Sequence, residues 1–273
     1  MPDIEARDGT RLYCKDWGAG QPVVLIHGWP LDADMWEYQS VPLASQGLRV
    51  VAYDRRGFGR SAQPWTGYDY DTLADDLAAV MDALDLKDAV LVGFSMGGGE
   101  VARYLSRHGA ARVAKAALVS AVTPYLLKTA DNPDGVDPSV FDQMIQGLEK
   151  DRPHFLAGFG KTFYGAGLLN FTVTDEILQW SLMMAMLASA KATIECVRAF
   201  SATDFRPDMA AFTMPTLVVH GSSDQTVPPD ASGRRAAKMI QGAQYLEYAG
   251  APHALFFTEK DRLTKDLLAF IRA

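Results

Sequence analysis

The segment Gly93-Phe94-Ser95-Met96-Gly97 holds one serine between two glycines four residues apart. This is the G-x-S-x-G pattern of a nucleophile elbow, a sharp strand-to-helix turn that lifts a serine hydroxyl above the end of a sheet. The bare pattern is common. Here the apolar run Val90-Leu91-Val92 precedes it and a helical pattern follows, so the context the turn needs is legible too. A serine hydroxyl is a weak nucleophile at neutral pH. It needs a base within hydrogen-bond reach, and that base needs an orienting carboxylate. Downstream, Asp224 follows the strand-like run Thr216–His220, and His253 follows Tyr245–Tyr248. All three residues would then stand beyond the carboxyl ends of strands, where sites on open α/β sheets form.

Each assignment has competitors. Asp204 and Asp230 contend with Asp224 for the carboxylate role. Among the other histidines, His27 and His220 end strand-like runs and read as hydrogen-bonded structural residues; His108 and His154 read as surface residues. Acyl transfer also needs donors for the developing oxyanion. The backbone N–H of Met96 is one candidate, and the N–H of Trp29, after the Val23–His27 run, is the second. Pro30 has no N–H and cannot serve.

The elements that must position these groups follow from periodicity. Strands are expected at Leu12–Trp17, Val23–His27, Arg49–Tyr53, Ala89–Phe94, Ala116–Val122, Thr216–His220 and Tyr245–Tyr248. Several are near-continuous runs of Val, Leu and Ala, as in strands buried on both faces. Helices are expected at Asp71–Leu86, where Leu73, Leu77, Val80, Met81 and Leu84 form one stripe, at Met96–Arg107, and at Lys260–Arg272. Gly97, Gly98 and Gly99 should each cost about 1 kcal/mol against alanine inside a helix, so the start of this helix needs close backbone approach more than local stability. Strands alternating with helices predict an α/β class with a mostly parallel, twisted sheet and flanking helices. Between Pro124 and Pro215 the alternation breaks into turn-rich and then helical, Met- and aromatic-rich sequence. The expected organisation is a core over residues 1–123, an inserted helical cap over 124–214, and the rest of the core over 215–273.

Composition is ordinary for a globular chain: 273 residues, 48% hydrophobic and 22% charged. The net charge of −7 argues against nucleic acid and anionic membrane surfaces as partners. Cys14 and Cys196 match no metal or redox spacing and read as free thiols of a reducing compartment, with the cytoplasm as the expected location. The start of the chain lacks the basic and apolar regions of a signal peptide, and no apolar run is long enough for a bilayer span.

Taken together, His27-Gly28-Trp29-Pro30, Asp54-Arg55-Arg56-Gly57-Phe58-Gly59-Arg60-Ser61, Gly93-Phe94-Ser95-Met96-Gly97-Gly98 and Gly250-Ala251-Pro252-His253 resemble the bacterial arylesterases. These belong with the cofactor-free haloperoxidases, or perhydrolases, on the α/β-hydrolase fold. Asp32-Ala33-Asp34-Met35-Trp36-Glu37-Tyr38 and Asp204-Phe205-Arg206-Pro207-Asp208-Met209 extend the resemblance over almost the whole chain. It implies a Ser95–Asp224–His253 triad, an oxyanion hole from Trp29 and Met96, a small apolar acyl pocket, and no metal, heme or flavin. Homo-oligomers of unspecified size are also consistent with it. By match to the family, Val122, Phe159 and Phe163 are pocket residues, with Phe94 added by adjacency to Ser95. Pro30 stands where close arylesterases often carry leucine, a perhydrolase-type feature. Thr226 stands where bulkier apolar residues are common, which opens the pocket.

The implied activity is hydrolysis of small carboxylic esters through an acyl-serine. Peroxide can replace water as the acyl acceptor, and the resulting peracid oxidises halide. A γ-lactam or amide hydrolase with the same triad is the alternative within the fold, and a ligand-binding protein without turnover the alternative outside catalysis.

Overall fold

Near-continuous apolar runs produce strands that no solvent reaches, and the centre of this sheet is built from them. A computed structural model describes residues 3–167 and 173–273. In chain order the first half comprises β1 (Asp3–Glu5), β2 (Arg11–Gly18), β3 (Pro22–Ile26), α1 (Glu37–Ser45), β4 (Arg49–Tyr53), α2 (Tyr70–Ala83), β5 (Ala89–Phe94), α3 (Met96–His108) and β6 (Val113–Val119). Then come α4 (Pro138–Phe163), α5 (Asp175–Leu187), α6 (Ala190–Ala202), β7 (Thr216–Gly221), α7 (Gly233–Met239), β8 (Gln244–Tyr248), α8 (Leu255–Thr258) and α9 (Lys260–Arg272). The strands form one sheet in the order β1-β2-β4-β3-β5-β6-β7-β8. Only the β1–β2 and β2–β4 pairings are antiparallel. This is the α/β class expected, with the antiparallel pairings confined to one edge and β4 through β8 all parallel.

Alternation along each strand feeds two cores. Val24, Ile26, Val51, Leu91 and Leu118 pack on one face, with α2 and α3 residues such as Leu73, Leu77 and Val101. Val23, Leu25, Val50, Val92 and Val119 pack on the other, with Leu43 of α1 and Leu263 and Leu267 of α9. Fully burying each such side chain contributes about 1.5–3 kcal/mol. The two faces therefore grip the central strands from both sides and hold their carboxyl ends as a rigid platform.

The structure differs from the sequence expectation in a few places. β6 lies three residues earlier than expected. A bulge at Ala89/Val90 shifts its register. Beyond Val119, Ser120 turns into the left-handed region at φ 44° and donates its N–H to Val219 O. Ala121 and Val122 are buried but off the ladder, and apolar periodicity cannot separate the two cases. The short β1, α1, α7 and α8 carried too few periodic residues to be anticipated. Between β6 and β7 the described residues run from a turn-rich stretch with two isolated bridges into the helices α4, α5 and α6, and residues 168–172 of the expected cap lie outside the described residues. Among the described residues no single helix is long and apolar enough to cross a membrane.

Candidate active site

Ser95 sits between β5 and α3 with φ 53° and ψ −117°, a conformation that side-chain-bearing residues rarely adopt. The surroundings enforce it. Ser95 N–H donates to Val119 O, and Ser95 O accepts from Val122 N–H and Gly98 N–H. A Cβ on Gly93 would lie 2.5 Å from Gly97 O, and one on Gly97 would lie 2.6 Å from Ile26 O. The glycines at the start of α3 thus allow helix and sheet to meet backbone to backbone, the close approach inferred from their clustering.

The carboxyl ends of three strands then bring the reactive groups together. Ser95 Oγ lies 3.0 Å from His253 Nε2, and His253 Nδ1 lies 2.6 Å from Asp224 Oδ2. Asp224 Oδ1 accepts the Thr226 and Val227 N–H groups at 2.9 and 2.8 Å. The partners assign the tautomer: Nδ1 donates to the carboxylate, and Nε2 accepts the serine proton. Burial alone would raise the pKa of Asp224. The charge of His253 and hydrogen bonds from His220 and His253 outweigh burial and push it below the usual carboxylate range. Phe94 and Phe163 flank the His253 ring at 4.8 and 4.9 Å between centroids, leaving it little room to swing.

Two backbone donors border the serine. Met96 opens α3, so its N–H has no acceptor within the helix and points with the positive end of the dipole. Gly28 runs against the elbow, where a Cβ would meet Phe94 Cδ1 at 2.5 Å and Ser95 Cβ at 3.0 Å. The next residue, Trp29, makes no backbone N–H bond to a described acceptor. Its indole N–H donates to Thr193 O of α6 at 3.0 Å, and its ring packs edge-on against Phe159 and Phe200.

This loop is anchored from beneath. His27 Nε2 accepts Arg55 N–H at 2.9 Å, while its Nδ1 faces Gly28 O at the same distance. Burial first and the Arg55 charge second depress the pKa of His27 well below its ordinary value, keeping it neutral. Arg55 donates to His27 O at 2.6 Å and pairs with Glu100 of α3, both side chains fully buried. Tyr53 donates to Glu100 at 2.6 Å.

Ser95 opens into a cavity of about 560 Å³. Of the pocket candidates, Val122, Phe159 and Thr226 line it, and the Trp29 side chain lines it as well. Pro30, Phe94 and Phe163 do not. Pro30 and Phe163 border a separate space of about 20 Å³ next to it, with Phe159 as the shared wall. Phe94 is wholly buried against Trp36, Phe163 and Phe256. As the strand residue beside Ser95 it points to the opposite face. Phe141, Met144, Phe155 and Phe200 line the cavity without having been singled out. A signal existed: Phe155, Phe159 and Phe163 recur every fourth residue of α4, the spacing of one helix face.

Of the competing groups, Asp204 pairs with Arg206 and Asp230 with Arg234. His154 is exposed but stands at the cavity wall, and His108 is half-buried on Asp75. Among the described residues no cluster of three or more His, Cys, Asp or Glu side chains is arranged to hold a metal.

Residues 21–260 match the family model described as the alpha/beta hydrolase fold. The chain belongs to the α/β-hydrolase family. This α/β hydrolase is 44% identical over 273 residues to the non-heme chloroperoxidase CPO-A1 of Kitasatospora aureofaciens, with 99% of each chain covered. It is 42% identical over 276 residues to the bifunctional esterase/perhydrolase DCH of Acinetobacter calcoaceticus, covering all of both chains. Among solved structures, the bromoperoxidase from Bacillus anthracis superposes with a TM-score of 0.96 at 43% identity, covering 99% of each chain.

Proposed function

We propose that this α/β hydrolase is a serine carboxylic ester hydrolase whose acyl-enzyme also reacts with hydrogen peroxide. The observation that carries the reading is the unbroken Ser95–His253–Asp224 chain at 3.0 and 2.6 Å, opening into a cavity walled mostly by aromatic and aliphatic side chains. Ser95 Oγ attacks the ester carbonyl as His253 Nε2 takes its proton. Asp224 stabilises the imidazolium. The Met96 and Trp29 amides receive the oxyanion. The tetrahedral intermediate collapses, the C–O bond to the alcohol or phenol breaks, and His253 returns the proton to the leaving oxygen. Acyl-Ser95 is then attacked by water, giving the acid, or by hydrogen peroxide, giving the peracid. His253 serves as base in either case.

The relatives named as chloroperoxidase and as esterase/perhydrolase support this pairing of acceptors. Halide oxidation then needs no metal step at the protein, because a free peracid performs it. We further propose that residues 124–214 act as the cap that sets substrate fit, since Phe141, Phe155, Phe159 and Phe200 come from α4 and α6. Two separate, buried, unpaired cysteines, Cys14 and Cys196, support a cytosolic location.

The test is hydrolysis of p-nitrophenyl acetate, and peracid formation from acetate and hydrogen peroxide, by wild type and Ser95→Ala. Both activities are expected in the wild type and neither in the variant. A folded Ser95→Ala protein that keeps either activity overturns the assignment for that activity.

A further inference from the structure

We infer that His220 is a positioning residue of the proton relay, bearing on the same oxygen of Asp224 as His253. It reads from sequence as a strand-end structural histidine, but its place is more specific. The side chain is fully buried, and Nε2 lies 2.9 Å from Val227 O and 3.3 Å from Asp224 Oδ2. Both neighbours are acceptors, so Nε2 carries the proton; its hydrogen bond goes to Val227 O, and the same N–H edge stands beside Asp224 Oδ2. Asp224 Oδ2 thus faces two imidazoles, while Oδ1 takes two backbone N–H groups.

The ring is not free to do otherwise. Gly233 of α7 packs so closely that a Cβ there would lie 2.4 Å from His220 Nδ1. Nδ1 itself is buried without a partner. A residue needed only to fill this space would do so better without an orphan nitrogen. The arrangement makes sense if the Nε2 proton is what matters. The charged groups on the elements packed around it are Glu247 of β8, register partner of His220, and Arg234 of α7, which pair with each other; Arg235 of α7, which bonds Asn132; the exposed Lys238 of α7; and Lys115 of β6, which donates to Phe270 O and Ile271 O; Tyr245 also donates to Glu247.

The consequence concerns basicity as well as geometry. A donor on Asp224 Oδ2 draws charge from the carboxylate and weakens its hold on the His253 imidazolium. Removing that donor leaves a more basic carboxylate that can also rotate. The inference rests on the triad working as proposed. Three variants separate the two: His220→Leu, His220→Asn and His220→Gln. Leucine has no donor, asparagine places its amide near the old Nδ1, and glutamine can return an N–H to the Nε2 position.

The assay is the pH profile of kcat/KM for p-nitrophenyl acetate, with kcat and KM resolved separately. For His220→Leu and His220→Asn the acidic limb is expected to move up by about one pH unit, with kcat down about tenfold and KM nearly unchanged. Glutamine is expected to recover most of both losses. If leucine does not fold, the asparagine and glutamine pair carries the same contrast. An unmoved acidic limb in the leucine or asparagine variant overturns the inference, as does a glutamine variant no better than asparagine. Wild-type activity abolished by Ser95→Ala alongside unaltered His220 profiles would leave the triad standing and remove only His220 from it.

Discussion

Asp224→Asn tests the relay most directly, because the structure dictates which way the amide must point. Oδ1 of Asp224 receives two N–H groups, from Thr226 at 2.9 Å and Val227 at 2.8 Å. Only an oxygen can take that position, so the amide oxygen goes there and the NH2 occupies the Oδ2 position. That NH2 then faces His253 Nδ1, at the 2.6 Å now spanned by the carboxylate bond. Two N–H groups cannot bond to each other, so His253 must shift its proton to Nε2. Nε2–H would donate to Ser95 Oγ, and the base would be lost. Loss of the correct tautomer in such a triad lowers kcat by about 10⁴-fold, roughly 5.5 kcal/mol of transition-state stabilisation. The measurement is steady-state hydrolysis of p-nitrophenyl acetate near neutral pH, beside circular dichroism to establish folding. A folded Asp224→Asn protein with kcat within tenfold of wild type would refute the tautomer argument.

Two further predictions concern the frame around the site. Asp32 is buried with Oδ2 unpartnered, and burial followed by the Asp54 charge pushes its pKa up to about 7. The folded state holds a proton that the unfolded chain releases near pH 4, so this group's contribution to stability falls as pH rises from about 4 to about 7. Asp32→Asn keeps an acceptor for Asp34 N–H and avoids the buried charge. It should raise stability at pH 8 by on the order of 3 kcal/mol, with little gain at pH 4. Melting temperatures across this range check it, and a pH-independent difference between the two proteins argues against it. Gly97→Ala forces a Cβ to within 2.6 Å of Ile26 O and 2.9 Å of His27 O, both backbone atoms that cannot yield cheaply. A loss of about 3 kcal/mol or more is expected in denaturant titration, and a loss under 1 kcal/mol would mean the elbow is looser than drawn.

What could be read from sequence divides along physical lines. The central strands Arg49–Tyr53 and Ala89–Phe94 were legible to the residue because burial on both faces leaves a near-continuous apolar run. Gly93–Gly97 was legible because a strained turn needs small neighbours. Ser95, Asp224 and His253 followed from their places after strands, and His253 lies within hydrogen-bond reach of the other two. The cavity was less legible. Phe94 neighbours Ser95 in sequence, yet strand alternation sends it to the other face. Phe163 lies one helical turn beyond Phe159 and drops behind the triad, edge-on to His253. Which turn of a helix meets a cavity depends on how α4 docks, and periodicity gives the face but not the depth. His220 looked structural for a similar reason: its partner depends on how the loop after β7 folds back.

The side chains that would move protons and most of the aromatic side chains that would judge fit come from different stretches of chain. Ser95, Asp224 and His253 stand on turns rooted in a sheet gripped from both sides, whereas Phe141, Phe155, Phe159 and Phe200 hang from helices between β6 and β7. A substitution in those helices away from the Trp29 contacts at Thr193, Phe159 and Phe200 can reshape what enters while the elbow keeps its own backbone supports. On the function proposed, the molecule would work as a fixed engine under an exchangeable filter. New selectivity should arise by drift in α4 and α6, while the machinery beneath stays as it is.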